Sequence, residues 1–380
     1  MKKQLVLIFL YIFVIMASAP LTASVQENQA DIIRTAKAAL IEINQTYPQT
    51  AGLKLPFSEI TTTVIENAGL TNVSQTQTAA DLIIKISATG EPKGSRYMGQ
   101  GYLYTGAELS GSMTLEMNGE TELSIPFRGL IPPDPNLRKA FPPEYQKPEN
   151  APFLNAFRAP GSFVDKLTRT MADIFGAHFI QNALQSDNNM IAEVVIKVIG
   201  ESGERQFTDL LIDKFQQPEL RGLIAETLGL IKAESSVGVL ISALSDTSKS
   251  VVRNAVIALG DIGDTHAVKP LIDILETPAS PFRLDAIEAL TNIQDTTAVQ
   301  PLIRAADDPD DIEVRLAAIR ALSHFGQSDA EQKVLRKMTE GTGEEQLNAI
   351  EAAGRIQHQF INQALIKFLR NADRRLQNAA

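Results

Sequence analysis

The sequence repeats itself with a period of about 31 residues between residues 187 and 375. The repeat is anchored on an apolar residue that recurs at nearly equal steps along the chain: Leu228, Leu259, Leu290, Leu322 and Ala353. Ile199 extends the series toward the N-terminus by a slightly shorter step. A fixed period of this length is typical of solenoids, in which one supersecondary unit is stacked repeatedly. The period predicts the fold of this half of the chain but not its function.

The repeat over residues 250–277 shows what one unit is built from. Its apolar residues recur at steps of one to four residues in two stretches: Val252, Ala255, Val256, Leu259 and Ile262, then Val268, Leu271, Ile272 and Leu275. Each stretch is the apolar stripe of an amphipathic helix, and Gly263-Asp264 breaks the chain between them. We therefore predict a pair of antiparallel helices per unit. One pair cannot bury both its faces, so neighbouring pairs must stack.

These repeats resemble the HEAT-like repeats first named in phycobilisome lyases. The resemblance rests on Val-Arg followed by alanines and then Ala-Leu-Gly with an apolar residue, as in Val252-Arg253 and Ala258-Leu259-Gly260-Asp261-Ile262. It implies an all-α solenoid of about six to seven helix pairs over residues 161–380. It also implies that the arginines recurring once per repeat, Arg221, Arg283 and Arg315, pair with acids of neighbouring repeats.

The sequence lacks the metal-binding motif of one group of enzymes that carry such repeats. The HEAT-like deoxyhypusine hydroxylases place His-Glu dipeptides on successive repeats, and this chain has no His-Glu dipeptide. Its histidines fall at different registers relative to the repeat anchors: His178, His266, His324 and His358. No phosphate loop or Gly-x-Ser-x-Gly elbow is present either. We predict no catalytic residue, no metal and no cofactor.

The N-terminus has the pattern of an export signal. Met1-Lys2-Lys3 is basic, and residues 5–16 are an unbroken apolar run. Thr22-Ala23-Ser24 offers small residues for cleavage, so we predict a signal peptide over residues 1–24 and a periplasmic or secreted bacterial protein. An uncleaved N-terminal membrane anchor is the alternative, although a span normally needs about 20 apolar residues. Export argues against bilin attachment, the activity behind the family's name, because that work is cytoplasmic.

Between residues 25 and 130 the apolar period changes from that of a helix to that of a strand. We predict helices over residues 30–43 and 57–68, followed by strands over residues 81–88, 107–118 and 120–127. The expected product is a small α+β domain in which two helices cover an antiparallel sheet. Within this domain the chain has no His or Cys.

The register of the last hairpin can also be predicted. Asn118-Gly119 favours a two-residue turn, but that turn would place Met117 opposite Glu120. Adding Glu120 to the loop pairs Met117 with Thr121 instead. It also pairs the apolar residues beyond, Leu115 with Leu123 and Met113 with Ile125. Because a slip of one residue flips every side chain, the apolar pattern predicts a three-residue loop.

Residues 131–160 separate the two regions and contain eight prolines. Proline lacks a backbone donor and disfavours helix in the residue before it, so we predict an extended linker or a strap on a domain surface. The aromatic residues of the segment favour the strap: Phe141, Tyr145, Phe153 and Phe157.

The charge balance excludes one class of partner. The net charge is −10, and residues 187–380 carry 29 acidic and 20 basic side chains. Binding nucleic acid requires clustered Lys and Arg, so we predict no nucleic-acid partner. The chain also has no cysteine, which excludes disulfides and a thiol-linked lipid anchor, and we expect no stable membrane insertion after signal cleavage.

The predicted architecture is therefore an α+β N-terminal domain followed by an all-α HEAT-like α-solenoid, with a non-enzymatic binding or scaffold function. A solenoid presents a long surface lined by its second helices, suited to a protein or peptide partner. The predicted partner-binding residues are the polar positions beside the buried stripe: Lys269, Asp273, Gln300, Arg304, Lys333 and Lys337.

Two other hypotheses remain open. The chain is an envelope enzyme in one of them, with its site in the N-terminal domain and the repeats as a targeting module. Such a site would use carboxylates or the tyrosines Tyr97, Tyr102 and Tyr104. In the other the sheet domain, rather than the solenoid, holds the partner of an envelope-assembly factor.

Overall fold

The computed structural model describes residues 27–46, 55–73, 80–93, 95–97, 102–104, 106–133, 152–341, 343–356 and 359–371. Within them the chain forms two compact units, divided between Val195 and Ile196. The first contains a mixed sheet with helices, and the second is a series of helices in pairs, which confirms the predicted fold class. The predicted signal peptide lies outside the described residues.

The first unit alternates helices and strands along the chain. Its elements are α1 (Glu27–Arg34), β1 (Ala38–Thr46), α2 (Phe57–Asn67), β2 (Thr71–Asn72), β3 (Leu82–Pro92), β4 (Ser95–Tyr97), β5 (Tyr102–Tyr104), β6 (Ala107–Met117), β7 (Glu120–Ile131), α3 (Pro152–Arg158) and α4 (Phe163–Gln185). Five strands form one sheet in the order β2-β1-β3-β6-β7, and β4 pairs with β5. Because β1 runs parallel to β2 and β3, the sheet is mixed, and the prediction of an antiparallel sheet is wrong in this respect.

The helix predicted over residues 30–43 is in fact a helix followed by a strand. α1 ends at Arg34, and β1 begins at Ala38 and pairs with β3 over residues 39–46. The stripe that suggested one helix is thereby split, with Ile33 in α1 and Leu40 and Ile41 in β1. A short apolar run fits either element by its period alone, so pairing with the neighbouring strand decides the outcome.

The β6–β7 hairpin combines a two-residue turn with a β-bulge. Asn118-Gly119 forms the turn with positive φ angles of 52° and 83°, and Met117 pairs with Glu120, so the predicted three-residue loop is wrong. Such angles suit the turn whose twist matches that of the strands. A register shift after Leu115 then leaves Glu122 as an extra residue on β7. The bulge restores the predicted apolar pairs, Leu115 with Leu123 and Met113 with Ile125.

Helices pack against one face of the sheet. Alternate residues of β3 and β6 are buried on this face, among them Leu82, Ile84, Ile86, Leu109, Met113 and Leu115. At the contact between α3 and β7, a Cβ atom placed on Gly129 would lie 1.7 Å from the carbonyl oxygen of Ala156, so only glycine permits the approach. Phe57 of α2 packs edge-to-face on Phe157 of α3, with ring centroids 4.9 Å apart.

One end of the predicted strap belongs to this core. Helix α3 lies within residues 131–160, and its Phe153 and Phe157 are buried. These two aromatic side chains hold their end of the segment against the first unit. The other two, Phe141 and Tyr145, lie outside the described residues.

The opposite face of the sheet carries a cluster of charged groups. Glu108 of β6 accepts hydrogen bonds from Arg128 of β7 at 2.6 Å and from Lys93 at 2.8 Å. The bond from Arg128, and then that from Lys93, lowers the pKa of Glu108 to about 2. Because the folded-state pKa is depressed, the stability that the cluster contributes is present above the ordinary value near 4.5 and is lost as the pH falls toward 2.

An NMR titration of the Glu108 carboxyl group tests this cluster. We expect a midpoint near pH 2 in the wild type and a higher midpoint in Arg128→Met, which removes the largest stabilising bond. Lys85→Met is the matched control, because Lys85 pairs with Glu116 instead, at 2.6 Å, and should leave the midpoint in place. A wild-type midpoint near 4.5 would contradict the cluster.

The second unit continues as helix pairs. The first helices of the pairs are α5 (Asn189–Ser202), α7 (Arg221–Leu230), α9 (Lys249–Ile262), α11 (Arg283–Ile293), α13 (Ile312–Leu322) and α15 (Glu344–Ala353). The second helices are α6 (Thr208–Lys214), α8 (Val237–Ala243), α10 (Val268–Leu275), α12 (Val299–Ala305), α14 (Ser328–Glu340) and α16 (Gln359–Asn371). The described residues thus contain six pairs.

Helix α4 falls within residues 161–380, the predicted extent of the solenoid, which stays a prediction. α4 lies in the first unit, where it contacts α1, α2 and β7. Arg34 of α1 donates a hydrogen bond to the backbone carbonyl oxygen of Ile174. The side-chain amide of Asn182 donates one to the backbone carbonyl oxygen of Asn67 at 2.9 Å. These contacts attach α4 to the sheet of the first unit.

Small residues set the distance between neighbouring first helices. A Cβ atom placed on Gly260 of α9 would lie 2.7 Å from the Cα atom of Ala289 in α11. A Cβ atom placed on Gly229 of α7 would likewise lie 2.7 Å from the Cα atom of Ala258 in α9. In these two repeats the glycine after the anchor leucine therefore lets one first helix pack closely on the next.

The turns of the α9–α10 and α11–α12 pairs each contain a residue with a left-handed backbone conformation, which leads to a prediction. Gly263 ends α9 with φ 79°, and Gln294 takes the same place after α11 with φ 58°. A side chain in this conformation costs energy, so we expect Gln294→Gly to raise the free energy of unfolding by roughly 0.5–1 kcal/mol. Gly263→Ala should lower it by a similar amount. Urea titrations check both, and effects of the same sign would contradict this account.

Candidate partner-binding surface

The second helices carry an apolar line that the sequence-based prediction missed. α10 contacts α12, α12 contacts α14, and α14 contacts α16. On five second helices the residue after a buried Leu or Val is apolar and partly exposed: Ile212, Ile241, Ile272, Ile303 and Leu335. We call these residues the second-helix apolar line. They recur with nearly the period of the repeat anchors, so the period was a signal for them, although the prediction considered only polar positions.

An ion pair connects α10 and α12 beside this line. Ile272 and Glu276 are one turn apart and so lie on the same side of α10. Glu276 bonds to Arg304 of α12. That side of α10 therefore lies toward the next second helix, and Ile272 is on the same side as the paired acid.

The seam between α12 and α14 repeats the arrangement with two lysines. Asp307 follows Ile303 by one turn and bonds to Lys333 and, at 3.0 Å, to Lys337. Burial acts to raise the pKa of Asp307, but the hydrogen bonds from Lys333 and Lys337 outweigh burial, and the pKa is lowered. Asp307 thus stays ionised at neutral pH and fixes α14 against the preceding repeat.

Four of the six predicted partner-binding residues are exposed on this surface. Lys269 bonds to Asp273 one turn later at 2.6 Å, and both remain largely in solvent. Gln300 donates a hydrogen bond to Asp329 of the next repeat at 2.9 Å. With Arg304, these residues form the outer edge of the surface.

The two predicted lysines on α14 lie inside the seam. Lys333 is only 7% exposed, and the side chain of Lys337 is 14% exposed. Both are placed there because α14 packs against the repeat that carries Asp307. Lys333 is therefore buried at this contact, and the partner-binding roles predicted for the six residues stay predictions.

The charge of the surface changes along its length. Asp209 and Asp213 on α6 are exposed and form no salt bridge with any residue that the structure describes. α8 has no charged residue, and its exposed positions are Gly238 and Ser242. From α10 onward acids and bases pair with one another. The surface is therefore acidic at α6 and uncharged at α8, and from α10 onward its charges are neutralised by ion pairs.

The arginines that recur once per repeat pair with acids, as the resemblance implies. The pairs are Arg221–Asp246, Arg283–Asp308 and Arg315–Glu345. Arg253, which stands one residue nearer its anchor, is more exposed and bonds instead to Asp285 at 3.1 Å. These arginines connect neighbouring segments of the array.

The described part of the chain contains no group of three or more His, Cys, Asp or Glu side chains placed to hold a metal ion. Nδ1 of His266 lies 2.7 Å from Asp264 within one turn, and His178 contacts Asn182 of its own helix. His358 and the side chains of the three candidate tyrosines lie outside what the structure describes. Over the same residues, no helix has the length and apolar character needed to cross a membrane.

Comparison with known proteins identifies the repeats. Residues 208–290 and 268–345 match the HEAT-repeat family, so residues 208–345 form a HEAT-repeat region. No curated protein sequence matches the chain significantly.

Three solved structures are similar to parts of the chain. The complex of CpcE and CpcF of phycocyanin lyase from Nostoc sp. is 19% identical, with a TM-score of 0.36 over 53% of this chain and 92% of that one. Human deoxyhypusine hydroxylase in complex with glycerol is 16% identical, with a TM-score of 0.27 over 62% and 88%. An engineered protein is 19% identical, with a TM-score of 0.39 over 64% and 75%.

Proposed function

We propose that this chain, in which residues 208–345 are HEAT repeats, is a binding or scaffold protein that holds a protein or peptide partner along its second helices. The observation that carries the proposal is the second-helix apolar line, whose side chains stay partly exposed at the period of the repeats. Covering apolar surface contributes about 25 cal/mol per Å², so a partner lying on this line is stabilised at every repeat.

The spacing of the line suits an extended peptide. Packed helices lie about 8–10 Å apart, so successive residues of the line are separated by about that distance. A polyproline-type segment rises about 9 Å in three residues, which brings every third side chain to the same face. At the acidic end, Asp209 and Asp213 favour a basic residue of the peptide. The proposed action is binding, without catalysis.

We propose further that the chain is exported to the periplasm or outside the cell through residues 1–24. The basic start and the apolar run of the N-terminus support cleavage near Ala23. Intact-mass spectrometry of the protein purified from its own cells distinguishes a cleaved chain from an uncleaved N-terminal anchor. A mass that includes residues 1–24 would contradict cleavage.

Affinity capture with variants of exposed residues tests the binding surface. We expect Ser242→Arg to reduce capture of a partner from envelope extract at least about tenfold, because it places a long charged side chain next to Ile241 on α8. Thr296→Arg is the matched control, since Thr296 is exposed in the turn between α11 and α12. Equal capture by wild type, Ser242→Arg and Thr296→Arg, or no specific capture at all, would contradict the proposal.

A further inference from the structure

A second apolar line crosses the first helices of the repeats. It consists of large side chains that remain in solvent, with exposed fractions of 59%, 45%, 45% and 45%: Leu230, Ile257, Leu284 and Ile312. We call these residues the first-helix apolar line.

The line runs obliquely over α7, α9, α11 and α13. Leu230 follows the apolar anchor of its own repeat by two positions, whereas Ile257, Leu284 and Ile312 precede theirs by two, six and ten positions. Each member is therefore four positions, or about one helical turn, nearer the N-terminus of its helix than the member before it.

The spacing of this line matches an α-helix. The four helices contact one another in order, and packed helices lie about 8–10 Å apart. With the oblique step, consecutive residues of the line are about 10 Å apart. An α-helix rises about 10.5 Å in seven residues, so apolar side chains repeated at that interval meet every member of the line.

The flanks of the line are acidic. Three exposed acids lie one helical turn from a residue of the line and on the same side of its helix. Glu226 precedes Leu230, Asp261 follows Ile257, and Glu288 follows Leu284. Neither Glu226 nor Glu288 forms a salt bridge with a residue that the structure describes. Arg253, the basic residue on the same ridge of α9 beside Ile257, is already paired with Asp285.

Asp261 is short of a cationic partner. Although Asp261 is exposed, one of its carboxylate oxygens would lie 3.6 Å from a Cβ atom placed on Gly229 of the neighbouring helix, so this part of the side chain is partly covered. This burial raises the pKa of Asp261, and the charge of Lys232 offsets only part of the effect. A basic group brought to this flank stabilises the ionised carboxylate.

We propose that the first-helix apolar line is a docking site for an amphipathic α-helix of a partner, with apolar side chains at seven-residue intervals and Lys or Arg on both flanks. The helix has a width of about 10 Å, so it covers the line together with Glu226 on one side of it and Asp261 and Glu288 on the other. This site is distinct from the second-helix surface, so the chain binds two partners, or two segments of one partner, on opposite rows of helices.

A synthetic peptide tests the site with the full chain. The probe is a fluorescent helix of about four heptads with leucine at the first and fourth positions and lysine on the flanks. One control peptide has the same composition in scrambled order, and another replaces each lysine by glutamate. Fluorescence anisotropy measures binding, and circular dichroism checks that each variant of the chain is folded.

We expect the lysine peptide to bind at least about tenfold more tightly than the scrambled one, and Ile257→Ser/Leu284→Ser to weaken it at least about tenfold. Ile366→Ser is the matched control, because Ile366 is 53% exposed but lies off the line, and it should change nothing. Glu226→Lys/Glu288→Lys should reverse the preference toward the glutamate peptide.

Three outcomes would overturn the proposal. Equal binding of the lysine and scrambled peptides shows that the surface does not select a helix of this pattern. Unchanged binding by Ile257→Ser/Leu284→Ser places the peptide elsewhere. Self-association of the wild type that this double variant abolishes assigns the line to a second copy of the chain rather than to a basic helix.

Discussion

Gly260→Ala should lower the free energy of unfolding of the repeat unit by about 2 kcal/mol. The added methyl group would lie 2.7 Å from the Cα atom of Ala289 and 2.8 Å from its Cβ atom, distances that real Cβ atoms do not show. Residues 260 and 289 both lie within helices, so the clash is relieved only if α9 and α11 move apart and lose contact along their length. Denaturant titration followed by far-UV circular dichroism measures the effect.

Gly238→Ala is the matched control for this prediction. Gly238 lies in helix α8 with nothing within 4 Å of a Cβ atom placed on it. Alanine there should stabilise the unit by roughly 0.5–1 kcal/mol, because alanine has the higher helix propensity. If both substitutions stabilise the protein, the first helices are not held as closely as the structure shows.

The second large effect is expected from Asp308→Ala, which should cost about 3 kcal/mol. Arg283 is only 7% exposed, and its guanidinium bonds to Asp308. Asp308 also accepts hydrogen bonds from the backbone N–H groups of Asp310 at 3.0 Å and Asp311 at 2.8 Å. The substitution leaves a buried charge unpaired and removes two bonds that shape the inter-repeat turn, so the repeats on both sides lose stability.

Asp310→Ala is the control for this substitution. Asp310 is exposed in the same turn, so its replacement should change the free energy of unfolding by less than about 0.5 kcal/mol.

The pH dependence of stability provides a second check. Burial acts to raise the pKa of Asp308, but the bonds from Arg283 and the turn backbone lower it overall. The stability that Asp308 contributes is therefore present above its unfolded pKa near 3.8 and is lost as the pH falls below it. Equal stability of wild type and Asp308→Ala at neutral pH would contradict the role given to this pair.

The period of the repeats was sufficient to predict the second unit, because each stripe of apolar residues has only one way to become buried. The same sequence logic failed at Leu40 and Ile41. A short apolar run there fits a helix and a strand equally, and pairing with β3, which is distant in sequence, decides between them. At the β6–β7 hairpin the local preference of Asn118-Gly119 and the apolar pattern both prevail, because a bulge at Glu122 reconciles them.

The candidate site was less predictable than the fold. The polar residues beside the buried stripe were correctly placed on the second helices, but the sequence does not show which neighbour each one meets. Lys333 is buried because α14 packs on the repeat that carries Asp307, a contact between side chains of different repeats. The second-helix apolar line and the first-helix apolar line were visible as periodic apolar positions. Only the exposure of their side chains distinguishes them from the core.

Site-specific photocrosslinking in the protein's own cells tests the central claim, that the second helices hold a partner. A photoreactive amino acid is placed at Ser242 on α8 or, as a control, at Thr296 in the turn after α11. The account predicts a discrete adduct from Ser242, which lies beside the second-helix apolar line, and none from Thr296. Adducts of equal yield from both positions, or none from Ser242 while the protein is present at its normal level, would contradict it.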